Sequence, residues 1–266
     1  MKRLVSGIIL IPIVVYIILF ASTLTLTAVT FVVTILAIGE YNGIIMKETG
    51  VVPGFFWAIL GALLPVGAYF YGAHVFLPFA FAFVVFAFFI KIMTVRELPG
   101  SVEQVTKRSF GVLYVALPLA HLVFFREIPN GSYWTLLALV VIWSNDTFAY
   151  YGGRKFGKNK LAPNISPGKT IEGAVSGLIG GVVAALIFDL IYDFGVGFIA
   201  IVLTALALGV AGMLGDLAES IMKRGAGVKD SGSLIPGHGG LLDRIDSMLF
   251  ALPVLYYIVA WKYYFA

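Results

Sequence analysis

The sequence is poor in charge and contains no cysteine. Only 12% of its 266 residues are charged, 60% are hydrophobic, and the mean hydropathy is +0.99. A soluble domain typically carries about twice that charged fraction. The composition therefore excludes a disordered chain, a fibrous protein and an ordinary water-soluble enzyme. The lack of cysteine also excludes disulfides, a thiolate nucleophile and a cysteine-ligated zinc site.

Long stretches of the chain have no Asp, Glu, Lys or Arg at all. A helix needs ~20 apolar residues to cross a bilayer, and a backbone in lipid must satisfy its own hydrogen bonds. The pattern predicts an all-α, polytopic integral membrane protein with about nine transmembrane helices. No convincing cleavage site follows the first apolar run, so we expect that helix to be retained. The predicted helices cover residues 4–20, 24–44, 53–71, 75–93, 109–125, 132–151, 171–191, 196–217 and 245–264.

The basic residues sort strongly to one side of this arrangement. With the N-terminus in the cytoplasm, 16 of the 18 Lys and Arg residues lie on that side, and only Arg126 and Lys262 lie outside. This is the positive-inside bias of a membrane protein. It predicts a cell (inner) membrane protein with a cytoplasmic N-terminus. The polar loops at 152–170 and 218–244 then both face the cytoplasm.

Ionisable groups near membrane depth concentrate in the second half of the chain. We therefore predict two regions. Residues 1–130 supply transmembrane helices for packing and are a candidate for dimerisation. Residues 131–266 form a catalytic transmembrane domain with two cytoplasmic active-site loops. Glu40 is an exception in the first region, and pairing or snorkelling at the cytoplasmic interface is the favoured interpretation over catalysis.

Two pairs of acidic residues flank the second loop. Asp216 and Glu219 are three apart, as are Asp243 and Asp246, so each pair points to one face of a helix. Charges at such helix ends are costly unless they are paired or bind an ion. Carboxylates from two helices would suit Mg²⁺. The alternative is a set of internal ion pairs with neighbouring Lys and Arg residues.

The segment between these acids is rich in glycine and basic residues. Glycine lets the backbone approach a ligand closely and offers its N–H groups to phosphate. Lys223, Arg224 and Lys229 add positive charge. The segment is not a Walker A sequence, but its composition favours Mg²⁺–nucleotide or polyphosphate chemistry over a flexible solvated loop.

The first loop follows a related pattern. Asn145 and Asp146 come near the end of an apolar helix, and the segment Ser166-Pro167-Gly168-Lys169-Thr170 precedes the next one. Ser166 or Thr170 could cap that helix, whose positive N-terminus would face an anion that Lys169 helps to hold. Glu172 is either a binding residue or part of the cap.

The segment SIMKRGAGVKDSGSLIPGHGGLLDRID, residues 220–246, strongly resembles the signature of the phosphatidate cytidylyltransferases (CDP-diacylglycerol synthases). The preceding GDLAES and the earlier ISPGKTIEG also resemble that family. One departure is Gly168, where the family usually has a second basic residue, which leaves Lys169 to hold phosphate alone. The signature positions occupied are Ser220, Lys223, Arg224, Lys229, Asp230, Gly232, His238, Gly239, Gly240, Asp243, Arg244 and Asp246.

The resemblance implies transfer of CMP from CTP to phosphatidate, with Mg²⁺ and a second cation such as K⁺ as cofactors. It implies the lipid bilayer and a second copy of the chain as partners, and no nucleic acid. Asp216, Asp243 and Glu219 are the implied metal ligands, and His238 is a phosphate hydrogen-bond donor. The implied catalytic residues are Lys223, Arg224, Lys229, Asp230, His238, Asp243, Arg244 and Asp246. The implied substrate-binding residues are Asn145, Asp146, Ser166, Lys169, Thr170, Glu172, Ser220, Gly239 and Gly240.

Other classes of protein remain as alternatives. A transporter of anionic metabolites should show polar groups near the membrane midplane in both halves, whereas here they cluster in one half. A structural scaffold would leave the glycine-rich basic loop without a purpose. A lipid kinase, or a nucleotidyltransferase for another lipid phosphate, is closer, and no residue pattern selects cytosine.

Overall fold

A computed structural model of the chain describes residues 2–46, 51–234 and 239–264. Within these ranges the chain is almost entirely helical, with two short strands and two short 3-10 helices. The α-helices are α1 (Lys2–Phe20), α2 (Thr23–Ile45), α3 (Val51–Tyr71), α4 (Phe76–Thr94), α5 (Ser101–Phe124), α6 (Gly131–Phe156), α7 (Ile171–Tyr192), α8 (Phe198–Gly225) and α9 (Leu242–Tyr264). The strands are β1 (Lys160–Ala162) and β2 (Ser166–Thr170).

Six helical segments of the described chain are long and apolar enough to cross a membrane. Helices α3 and α4 form one of them, because the 3-10 helix Gly72–Val75 joins them without a break. Large apolar side chains such as Phe81 and Leu190 are exposed on these helices, as lipid contact requires. A nearly all-helical protein with membrane-type helices is therefore confirmed, while nine crossings and their orientation stay predictions.

The helices extend further at their polar ends than the apolar pattern predicts. Helix α5 begins at Ser101 rather than at residue 109, α6 continues to Phe156, and α8 continues to Gly225 rather than ending near 217. Glu, Lys and Arg are good helix formers, so a helix does not stop where its apolar segment stops. Asp216 accordingly lies within α8 instead of closing it.

A β-hairpin departs from the all-α prediction. Strands β1 and β2 pair antiparallel, with Lys160 opposite Thr170 and Ala162 opposite Ser166. Ser166 therefore lies in a strand and is not the cap of α7. Thr170 is the cap, because its side chain accepts a hydrogen bond of 3.1 Å from the N–H of Gly173. The short strands were not visible in the sequence because they carry no alternating apolar pattern.

Glycines bring α6 and α7 close together. A Cβ added at Gly173 would lie 2.8 Å from the carbonyl oxygen of Ala149, and one added at Gly177 would lie 2.7 Å from that of Asn145. These distances are below any normal contact, so only glycine permits this approach. Small residues on one helix face allow such close packing, which here fixes the end of α6 beside the start of α7.

Candidate functional site

A cavity of about 500 Å³ lies where α6, the hairpin, α7 and α8 meet. Its volume is within the range of ligand pockets in proteins. Six of the predicted substrate-binding and metal-binding residues line it together. They are Asn145, Asp146, Ser166, Lys169, Thr170 and Asp216.

A pair of opposite charges spans this cavity. The Nζ of Lys169, on β2, donates to Oδ2 of Asp216 on α8, and both side chains are partly exposed. The hydroxyl of Ser220 lies 3.4 Å from the other oxygen of Asp216. Asp146, which is exposed, interacts electrostatically with both members of the pair. The two polar loops predicted to work together thus meet at Asp216.

A buried cluster of carboxylates and a lysine adjoins the cavity between α8 and α9. The Nζ of Lys223 lies 2.5 Å from Oε2 of Glu219 and 2.6 Å from Oδ1 of Asp243. The side chains of Glu219 and Asp243 are 0% and 7% exposed, and that of Lys223 is 11% exposed. Lys223 therefore forms ion pairs with two acids on different helices. Internal ion pairs of this kind were the predicted alternative to a metal site.

Asp243 also fixes the loop between α8 and α9, which we call the signature loop. Its Oδ2 accepts hydrogen bonds of 2.9 Å from the backbone N–H groups of Ser231 and Gly240, which lie on the two sides of the loop. A carboxylate oxygen that accepts two backbone N–H bonds is firmly placed. Asp243 thus ties the loop ends to α8 through Lys223.

Glu40, in the last turns of α2, belongs to the site although the sequence did not place it there. Its carboxylate accepts hydrogen bonds of 2.9 Å from the N–H of Leu241, 2.8 Å from the N–H of Leu242 and 2.9 Å from the hydroxyl of Ser231. Glu40 is thus hydrogen-bonded to neutral groups of the signature loop and of the start of α9. Its isolation in an otherwise apolar segment was the only signal in the sequence.

The acidic groups outnumber the basic groups here. Five carboxylates and three cations interact electrostatically across the cavity and the cluster. One of the acid oxygens, Oε1 of Glu219, is buried and has no hydrogen-bond partner among the residues that the structure describes. The groups concerned are Asp146, Asp216, Glu219, Asp243, Asp246, Lys169, Lys223 and Arg244.

This group of carboxylates fits a divalent cation, because Mg²⁺ takes carboxylate oxygens. Over the described ranges, no three acidic or histidine side chains already form a close ligand set. A cation at Asp216 or Asp243 would have to compete with Lys169 or Lys223.

Two predicted site residues support the hairpin from outside the cavity. The carboxylate of Glu172 accepts hydrogen bonds from the backbone N–H groups of Lys158 and Asn159, at 3.0 and 3.2 Å. The Nε of Arg224, on α8, lies 3.4 Å from the carbonyl oxygen of Ile165 at the hairpin turn. Both contacts hold the segment that carries Lys169.

The remaining predicted residues lie on the signature loop and at its exit. Lys229 and Asp230 are exposed, and so is Arg244 in the first turn of α9. Gly239 has a φ of +84°, and Gly240 is buried against Glu40 and Ser231. Asp246 is partly buried near Glu219. His238 lies outside the described residues.

The fold and the site define a helical protein of the membrane type with a charged site at one end of its helices, where α2, α6 and α8 end and α7 and α9 begin. The chain matches the model of the cytidylyltransferase family over residues 1–261, and it therefore belongs to that family.

Curated relatives agree with this assignment. The chain is 35% identical to the phosphatidate cytidylyltransferase of Staphylococcus haemolyticus (strain JCSC1435) over 234 residues, which cover 87% of this chain and 88% of that one. It is 38% identical to the phosphatidate cytidylyltransferase of Bacillus subtilis (strain 168) over 159 residues, 59% of each chain. With that of Staphylococcus saprophyticus it shares 41% identity over 144 residues, 54% of this chain and 55% of that one. The latter two matches thus span less than two thirds of the relatives' length.

Proposed function

We propose that this chain transfers CMP from CTP to phosphatidate in a Mg²⁺-dependent reaction that forms CDP-diacylglycerol and pyrophosphate. The observation that carries the proposal is the junction at Asp216, which belongs both to the 500 Å³ cavity and to the acid-rich region beside it. Membership in the cytidylyltransferase family supports it, as do relatives named phosphatidate cytidylyltransferase.

The cavity suits the nucleotide substrate. Its lining includes the cationic side chains of Lys169 and Arg154, the backbone of Gly153 and Gly168, and the aromatic ring of Tyr150. Lysine and arginine side chains bind phosphate oxygens. The phosphatidate phosphate would approach from the membrane surface toward Asp216, with its acyl chains left in lipid.

The reaction needs positioning more than it needs a base. A phosphomonoester has a second pKa near 6, so about neutral pH its oxygen is already ionised. That oxygen attacks the α-phosphorus of CTP, and the bond from the α-phosphorus to the oxygen bridging the β-phosphorus breaks. Pyrophosphate leaves with the electron pair. Lys169 and the exposed Arg224, Lys229 and Arg244 would hold phosphates and orient the two substrates for attack.

The metal is part of the same proposal. Asp216, Asp243 and Glu219 would hold Mg²⁺, and Asp246 and Asp230 would assist. When bound, the ion stabilises negative charge on the transferring and leaving phosphates. A second cation such as K⁺ would offset further acidic charge. Lys223 contributes by fixing Glu219 and Asp243 relative to each other.

The placement in the membrane follows the charge distribution. We propose nine crossings, a cytoplasmic N-terminus, an active site on the cytoplasmic side of the cell membrane, and a homodimer formed through residues 1–130. CTP is then available from the cytoplasm, and phosphatidate from the adjacent leaflet.

The test is a reconstitution of the reaction. Purified protein in mixed micelles with CTP, Mg²⁺ and phosphatidate should form CDP-diacylglycerol and pyrophosphate in equal amounts, and EDTA should stop both. Replacing phosphatidate by a polyprenyl phosphate, or CTP by ATP, GTP or UTP, should reduce product strongly. Preferred use of a polyprenyl phosphate, or phosphoryl transfer without pyrophosphate release, would contradict the proposal.

A further inference from the structure

Glu40 connects the two halves of the chain through three hydrogen bonds. It belongs to α2, yet its partners Ser231, Leu241 and Leu242 lie about two hundred residues further along the chain. One oxygen accepts from Leu241, and the other accepts from Leu242 and from the hydroxyl of Ser231. Both oxygens of the carboxylate are thus used.

The backbone around this carboxylate is built to receive it. A Cβ added at Gly240 would lie 2.4 Å from Oε2 of Glu40, and one added at Gly232 would lie 2.7 Å from Oε1. At either position, a Cβ would have to displace the Glu40 carboxylate from its place. Two of the signature glycines therefore admit a carboxylate from another helix, in addition to any role toward phosphate.

The contact leads directly to the proposed metal ligand. The hydroxyl of Ser231 donates to Glu40 and also accepts a hydrogen bond of 3.2 Å from the backbone N–H of Asp243. Leu241 and Leu242 come immediately before Asp243. The first N–H groups of a helix have no partner within the helix and carry its positive dipole end, so an anion at this position fixes where α9 starts.

We infer that Glu40 is a positioning residue for the reaction, which it serves by holding the start of α9 and the signature loop so that Asp243 meets Lys223. The inference rests on the proposed function. It makes residues 1–130 contribute to the active site, although none of the predicted catalytic residues lies there.

The test replaces the carboxylate by a group of the same shape. Glu40→Gln keeps the side-chain volume but replaces one of the two acceptor oxygens by an NH₂ group. That NH₂ group cannot accept the hydrogen bonds that Ser231, Leu241 and Leu242 donate to the carboxylate. Loss of such supporting groups costs about 10–100-fold in activity or metal affinity. We expect kcat to fall by about that factor, with the KM for CTP changed less than about threefold, and the Mg²⁺ concentration for half-maximal rate to rise.

Tyr41→Phe is the matched control. It alters the next residue of α2 and removes a single hydrogen bond of 2.9 Å, from the tyrosine hydroxyl to the carbonyl oxygen of Lys107. It should leave kcat and the Mg²⁺ requirement unchanged. Equal kinetics of Glu40→Gln and wild type, or equal losses in both variants, would overturn the inference.

A second variant separates positioning from loss of folded protein. Ser231→Ala removes the group that links Glu40 to the N–H of Asp243, and we expect kcat to fall by about tenfold. Because the two residues act in one network, the double variant should be little worse than Glu40→Gln alone. Fully additive losses would contradict the network.

Amide hydrogen exchange tests the contact between Glu40 and the start of α9 independently of enzyme activity. The amides of Leu241 and Leu242 should exchange faster in Glu40→Gln, while amides in the middle of α9 keep their protection. If the wild-type protein forms no CDP-diacylglycerol, the proposed function fails, yet faster exchange confined to residues 240–243 would still support the contact. Unchanged exchange there would overturn it whatever the activity.

Discussion

The two halves of the chain bury polar groups in different ways. In residues 1–130, buried threonines return their hydroxyls to their own helix, as Thr30 does to Leu26 and Thr34 to Thr30, and Asn42 bonds the carbonyl oxygen of Gly54. In residues 131–266, buried Glu219 and Lys223 carry charge and bond across helices. With the exception of Glu40, the first arrangement satisfies the helices of its own half, whereas the second keeps charges buried in the protein, which is costly unless they are paired.

The largest effect should come from the charged half. Asp243→Asn leaves Lys223 with one acid instead of two and weakens the bonds to Ser231 and Gly240. Breaking a buried pair costs about 3–5 kcal/mol, and the proposed metal loses a ligand. We expect CDP-diacylglycerol formation to fall by about a thousandfold or more, measured per mole of protein that elutes as a single species in detergent.

Asp189→Asn is its control. Asp189 also accepts a backbone N–H, from Phe194 at 3.2 Å, but it lies at the opposite end of α7 from the cavity. Its activity should stay within about threefold of wild type, since it adjoins no substrate. Full activity in Asp243→Asn would remove that residue from the proposed machinery.

Two lysines of the hairpin allow a finer comparison. Lys169 bonds Asp216 in the cavity, whereas the Nζ of Lys160 bonds the carbonyl oxygen of Pro167 and is exposed. Lys169→Met should reduce kcat/KM for CTP by about a hundredfold, because it removes a charge-assisted phosphate contact. Lys160→Met should change it by less than about threefold. Similar losses in both would mean that general positive charge matters, and not the position of Lys169.

A smaller effect should appear in stability. A side chain at Gly177 would collide with Asn145, whereas nothing lies within 4 Å of a Cβ at Gly168. Gly177→Val should cost about 1–3 kcal/mol through overpacking, seen as a lower midpoint of thermal unfolding in detergent. Gly168→Ala should leave the midpoint unchanged. An unchanged midpoint in Gly177→Val would refute the close contact of α6 and α7.

The smallest effect belongs to the first half. Glu103 and Lys107 form an exposed pair of 2.6 Å one turn apart on α5. Exposed pairs of this kind contribute little, so Glu103→Gln should change neither the unfolding midpoint nor the rate of CMP transfer measurably. A clear loss of activity in Glu103→Gln would contradict the proposed difference between residues 1–130 and residues 131–266.

The sequence predicts most of the helices and the acidic region of the site, because membrane helices and charged loops follow simple rules. The apolar runs predicted the helical segments, and the spacing of Asp216, Glu219 and Asp243 predicted a shared acidic region. Helix ends were missed where Glu, Lys and Arg continue a helix past its apolar part, as at Gly225. The hairpin was missed because its strands have three and five residues.

The tertiary partners of single residues could not be predicted in the same way. Whether Glu40 meets the lipid surface or the start of α9 depends on how two distant helices pack, which no local pattern encodes. Likewise, both the ion pairs of Lys223 and a metal site satisfy the same spacing of acids.

The position of Lys223 separates folding from the proposed binding of Mg²⁺. Its ammonium group is a cation that is covalently attached to the chain, and it already joins α8 to α9 through Glu219 and Asp243. The contact between these helices therefore does not depend on the concentration of free divalent ions. If the proposed Mg²⁺ binds here, newly inserted protein would assemble this region before the ion binds, and we expect a chelator to inhibit the protein reversibly without unfolding it.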